Sequence, residues 1–166
     1  MIPINQTFKA NHKLNKRDWR QVSKEAWLQT GAHWHRFLLK KHFTRGAIAE
    51  YDYEPRAKST EMKKARKFGH RRPLVFTGEL QRMVMRVREV TSVGDGKKGG
   101  AAKIKLRGPR YLYQYRKDLG QPDKAAELSA VSTKDADDLA KKLDRVITRE
   151  LNEESRTVDI TKGHRR

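Results

Sequence analysis

The chain has 166 residues, about one domain's worth. It carries 39 Lys and Arg against 20 Asp and Glu, a net charge of +19, with 36% hydrophobic residues and no Cys. This composition excludes disulfides, thiolate metal sites and a cysteine nucleophile, and no run of about 18 apolar residues is present to span a membrane. The N-terminal MIPINQTFKA has no apolar segment of the secretory kind. Residues 1–14 are polar and aperiodic and are expected to form a flexible arm.

Trp19, Val22, Ala26, Trp27, Thr30, Trp34, Phe37 and Leu38 recur at three- and four-residue steps and predict a helix over 16–42. Asn15 is placed to cap it, with Asp18 in the first turn. Residues 44–73 show no period. Gly, Pro and many charges predict a long basic loop, with a helical turn at 60–67. Between Arg56 and Arg72 stand eight cations and one anion, Glu61, a block that makes a strong local field and attracts polyanions. From Met83 the pattern alternates: Met83, Met85 and Val87 on one side, Arg86 and Arg88 on the other, a strand over 84–92. Ala102, Ile104 and Leu106 alternate with Lys103, Lys105 and Arg107, a second strand joined to the first by the GDGKKGG loop. Tyr111, Tyr113 and Tyr115 alternate after Pro109, as a third strand or an extended docking segment. Residues 128–131 read as a short edge strand. Ser132 stands three before Asp135 in a capping-box arrangement, and Ala136, Leu139, Leu143, Val146, Ile147 and Leu151 predict a helix over 133–154. Residues 157–166 read as a frayed tail.

The fold expected is α+β: one small domain over 15–156, a β-hairpin packed with an N-terminal and a C-terminal helix, and a long basic loop at 44–73. Charge is unevenly placed, with 29 Lys and Arg against 9 Asp and Glu in residues 1–117, and 10 against 11 in residues 118–166.

Catalytic motifs are missing. GDGKKGG lacks the G-x-x-x-x-G-K-[ST] spacing of a phosphate loop and sits between strands, and neither G-x-S-x-G nor H-E-x-x-H occurs. His33 and His35, two apart on a helix, point away from each other and do not share a metal. Asp52 with Glu61-Met62-Lys63 loosely matches a nuclease's metal-binding carboxylates, but those usually lie on adjacent strands. No catalytic residue, cofactor or metal site is expected, and the chain is read as not an enzyme. Basic residues interleave with aromatics in RGPRYLYQYR; such a stretch either stacks bases and holds phosphates or packs one tyrosine face of a strand.

The stretch His42–Val84 resembles the middle of tail-completion and neck proteins of tailed bacteriophages. The matching residues are Tyr53, Pro55 and Arg56, the Lys-rich run from Lys63 to Lys67, Gly69, and the closing Pro73, Leu74, Val75, Thr77, Gly78 and Leu80. Where the family often has Tyr before the Lys-rich run, this chain has Thr60 or Met62. The resemblance implies a non-enzymatic virion component, made in the bacterial host cytoplasm and forming a homo-oligomeric ring at the head–tail junction. Its partners would be copies of itself and connector, portal-adaptor, tail-tube or terminator proteins, with no membrane and no small-molecule substrate. Non-specific contact with DNA is open to any chain this basic, and nucleic-acid binding stands as the alternative function. The residues expected to bind partners are Tyr51, Tyr53, Arg56, Lys63, Lys64, Arg66, Lys67, Arg71 and Arg72 of the loop, with Arg110, Tyr111 and Tyr113 beyond the hairpin.

Overall fold

A computed structural model describes residues 16–86, 89–95, 99–114 and 122–162. The N-terminal arm, Asn15, the tip of the hairpin loop, Tyr115 and the last four residues lie outside them. The fold is α+β: a two-stranded antiparallel sheet with helices before and after it in the chain. Elements in order are α1 (Lys16–His33), a π-helical turn (Trp34–Leu38), a 3-10 turn (Leu39–Phe43), α2 (Ala47–Glu50), α3 (Lys58–Phe68) and α4 (Glu79–Arg86). There follow β1 (Glu89–Asp95), β2 (Gly99–Lys105), a 3-10 turn (Arg110–Leu112), α5 (Lys124–Ser129) and α6 (Thr133–Lys162). The chain divides into two compact units, one of Met1–Ala32, Val90–Lys103 and Ala136–Arg166, the other of His33–Glu89 and Ile104–Asp135.

In the first unit the apolar stripes of α1 and α6 meet. Val22, Ala26 and Trp27 pack with Leu143, Val146 and Ile147, and Trp19, Ala102 and Leu151 close the cluster. The hairpin reaches α1 through two glycines. A Cβ on Gly94 would stand 2.1 Å from the Arg20 carbonyl oxygen, and one on Gly100 would stand 2.4 Å from the Trp27 ring. Arg20 Nε also donates to the Gly94 carbonyl at 3.2 Å. Only residues without a side chain permit this approach. Along residues 101–105 exposure alternates, with Ala102 and Ile104 half-buried and Ala101, Lys103 and Lys105 exposed, the period expected of a half-buried strand.

The second unit opens where the α1 stripe changes frame. Leu39 N–H closes onto the Trp34 carbonyl five residues back, and this wider turn brings Trp34, Leu38, Leu39, His42 and Phe43 inward while leaving Phe37 half exposed, at 51%. The single helix expected over 16–42, with Phe37 on its buried face, is corrected accordingly.

Several other expectations are corrected. The segment read as a loop over 44–73 is mostly folded: α3 spans eleven residues and ends on Gly69, whose φ of +66° only glycine adopts without strain. The strand read from residue 84 begins at Glu89, because residues 79–86 form α4, which buries Leu80 and Val84 at helical spacing. Residues 128–131 are not a strand; Leu128 belongs to α5, whose start is capped by the Asp123 carboxylate accepting from Ala125 N and Ala126 N. Tyr111 sits in a 3-10 turn rather than a third strand. Helix α6 continues to Lys162, past the expected end at 154 and through the first part of the tail expected to fray. Among the described residues no helix is long and apolar enough to cross a membrane.

Candidate partner-binding site

Tyr51 and Tyr53 do not reach the surface. Both are buried, at 8% and 4% exposure, in a stack of rings: His42 lies 4.0 Å from Tyr51 between ring centroids, and the two tyrosines lie 5.8 Å apart. The Tyr51 hydroxyl donates to Asp135 Oδ2 at 2.6 Å. Tyr53 and His42 Nδ1 share a hydrogen bond, and Lys41 Nζ donates to Asp135 Oδ1 at 2.6 Å. Asp135 N–H in turn donates to the Ser132 hydroxyl, so the predicted cap forms at Ser132 while the Asp135 side chain serves the tyrosine stack instead of closing the box. The expectation that the two tyrosines meet a partner gives way to a physical reason: their hydroxyls find a charged acceptor and an imidazole only inside this unit, and leaving them exposed would strand a buried carboxylate. Burial is the main cause that pushes both phenols well above their usual pKa and holds His42 down at about 4.

Arg56 is partly buried. Its Nη2 donates to Glu127 Oε2, and its side chain is 14% exposed. The pair is held at one point only: Arg56 Nη1 and Glu127 Oε1 are buried without hydrogen-bond partners. Lys64 is the one cation of the Lys-rich run that α3 turns inward. It is 7% exposed, and its Nζ donates to the Arg72 carbonyl at 2.8 Å. Burial, then the charge of Arg56, lowers its pKa, and Glu61 opposes them. The other cations stay in water: Lys63, Arg66 and Lys67 on α3, Arg71 and Arg72 after it, and Arg110 beyond the hairpin are all exposed.

A cavity of about 580 Å³ opens in this unit. One wall is Pro55, Arg56 and Ala57 with Thr60 and Lys64 of α3. The facing wall is the run Leu74–Thr77 with Glu79 and Leu80 of α4. Tyr111, Pro122 and Lys124 complete it. Leu74 is held there at φ +54°, in a tight turn closed by Val75 N–H onto the Pro73 carbonyl at 2.6 Å. Positive φ is uncommon for a side chain of this size and concentrates at functional positions. Phe76 and Tyr111, 39% and 40% exposed, stand at the rim. Tyr113 is exposed beside the turn, its hydroxyl donating to the Leu106 carbonyl at 2.9 Å.

The cavity thus gathers Arg56, Lys64 and Tyr111 from the expected partner-binding set and leaves the outer cations and Tyr113 on the surface. Sequence reading missed His42, Glu127, Asp135 and Lys124. Asp135 was read only as a capping residue, and its partner Tyr51 lies 84 positions away, beyond any local pattern. Among the described residues no group of three or more His, Asp or Glu is placed to hold a metal ion. Comparison with known protein families, characterised proteins and solved structures finds no match to this chain.

Proposed function

We propose that the protein is a non-enzymatic structural component of a tailed-phage virion, a neck or tail-completion protein that sits at the head–tail junction as a ring. One observation supports this reading above the others: seven of the residues that carry the phage resemblance converge in space. Pro55, Arg56, Lys64, Leu74, Val75, Thr77 and Leu80 are drawn from 26 consecutive positions, and all line the cavity. A spacing kept across a helix, a left-handed turn and a second helix, and resolved into one concave surface, is what a docking element needs. Ring contacts join unlike faces of successive subunits, and a chain whose basic excess lies wholly in residues 1–117 has the uneven charge such contacts can use.

The test is a nonsense allele of the gene in the phage that carries it, complemented in trans. The reading expects filled heads and separate tails without complementation, and joined particles with it. Normal joined particles from the nonsense allele would refute it. Nucleic-acid binding stays as the second reading because the exposed cations of α3, with Arg71 and Arg72, form no ion pair among the described residues. A loss of genome packaging with joined but empty particles would favour that reading.

A further inference from the structure

We propose that the cavity between α3 and the 74–80 segment binds an extended peptide segment of a partner protein, one presenting an acidic side chain flanked by apolar ones. The charge of the walls selects the acid. Arg56 and Lys64 are both largely buried there, and Glu127 offsets only one of them through a single-point contact. Glu61 is half-buried on α3 and lies close enough to raise the Lys64 pKa against the stronger effects of burial and Arg56. On the rim Glu79 opposes Lys124, whose Nζ lies 5.4 Å over the Tyr111 ring. The lining itself carries Arg56, Lys64 and Lys124 against Glu79, and Arg56 Nη1 is buried with no partner, so an incoming carboxylate finds cationic donors in partly apolar surroundings. Lys64 uses one of its three N–H donors on the Arg72 carbonyl, leaving donors for that carboxylate.

The rest of the lining selects apolar neighbours. Pro55, Ala57, Leu74, Val75, Leu80 and Pro122 present no side-chain hydrogen-bonding group. The volume falls within the roughly 300–1,000 Å³ of sites that enclose a small ligand or a few residues. The rim decides for a peptide. Phe76 and Tyr111 are aromatic, exposed and continuous with the cavity, and such residues anchor protein interfaces. A ligand confined to the cavity would leave them in water. This specificity stands whether or not the protein belongs to a virion; absence from particles would remove the setting and leave the peptide binding intact.

The experiment is selection of a random twelve-residue peptide display library on the full chain, with binding of the enriched peptides then measured by fluorescence anisotropy. Three variants accompany it, each checked for parental melting. Thr60→Trp fills the cavity mouth from an exposed position, Phe76→Ala removes a rim anchor, and Lys64→Met removes the buried charge at similar volume. Expected are peptides with Asp or Glu beside Leu, Ile, Val or Phe, binding at least tenfold more weakly to Thr60→Trp and Lys64→Met and several-fold more weakly to Phe76→Ala. If Lys64→Met fails to fold, the other two variants and the peptide's own Asp→Asn substitution carry the same comparison. Enrichment of basic or wholly apolar peptides, no enrichment, or binding indifferent to Thr60→Trp would overturn the proposal. So would displacement of the peptides by an equal concentration of a 20-base-pair duplex, which would make the cleft a nucleic-acid site.

Discussion

Replacing Asp135 by Ala removes the group that organises the tyrosine stack, and its cost can be worked from the contacts it makes. The side chain is fully buried and accepts from Tyr51 and Lys41, both at 2.6 Å. Loss of the Tyr51 bond strands a buried hydroxyl, and a hydrogen bond to a charged group contributes about 1.5–3 kcal/mol. The Lys41 side chain is 34% exposed and keeps Glu50 Oε1 at 3.7 Å when Asp135 is gone, and screening limits its Asp135 ion pair to about 1 kcal/mol. Asp135 also lies in the first turn of α6, where a negative charge adds about 0.5 kcal/mol. The total is about 3–4.5 kcal/mol, a fall in Tm of about 10 °C for a chain of this size. Urea denaturation at pH 7, followed by circular dichroism, measures it. Asp135→Asn, which keeps an acceptor for Tyr51, is expected to lose about half as much, and Lys41→Met about 1 kcal/mol. An Asp135→Ala protein within about 1 kcal/mol of the parent would refute the reasoning, as would a Lys41→Met protein that loses as much as Asp135→Ala.

His42, faced by Asp135, Lys41 and the rings of Tyr51, Tyr53 and Trp34, is held by burial at a pKa of about 4 against 6.5 in the unfolded chain. Below pH 6.5 the unfolded chain takes up a proton that the folded chain refuses, so stability that is complete above that pH falls by up to about 3 kcal/mol as pH drops toward 4. Denaturation midpoints across this range measure it, and His42→Gln is expected to flatten the slope. Leu143→Asp places a charge among Val22, Ala26, Trp27, Val146 and Ile147 and is expected to cost at least about 3 kcal/mol; a parental melting curve would show the core of the first unit to be wrongly assigned. Gly94→Ala drives a methyl group into the Arg20 carbonyl and is expected to cost about 1–3 kcal/mol, read by the same denaturation, whereas Ala101→Gly on an exposed position of β2 should cost under about 1 kcal/mol.

Much of the first unit was legible because its signals are local. The α1 and α6 stripes and the alternation along β2 each show within a few consecutive turns or residues, as the Ser132 cap does in the second unit. The 83–88 region misled for the opposite reason. Met83, Met85 and Val87 alternate as a strand would, while Leu80 and Val84 stand four apart as a helix would, and the two patterns overlap along one stretch of chain. Burial of Leu80 and Val84 decided for the helix. The 44–73 segment was read as a loop with one helical turn at 60–67, which α3 contains; the rest of its order comes from distant groups, Asp135 for Tyr51 and Glu127 for Arg56. A run of eight cations gives no sign of which one a helix will turn inward; only the Lys64 position on α3 settles that. The cavity was illegible as a cavity, since its walls come from residues 55–64, 74–80, 111 and 122–124, although Arg56, Lys64 and Tyr111 were each marked for partner binding on chemistry alone.

The proposed place of this chain is the head–tail junction of a particle, and labelling it there tests that proposal most directly. A C-terminal peptide tag on the gene, decorated with gold-conjugated antibody on purified particles, is predicted to give label at the neck, between head and tail, on most of them. Label on tail fibres or capsid faces, or tagged protein recovered only from the lysate and never from purified particles, would contradict it.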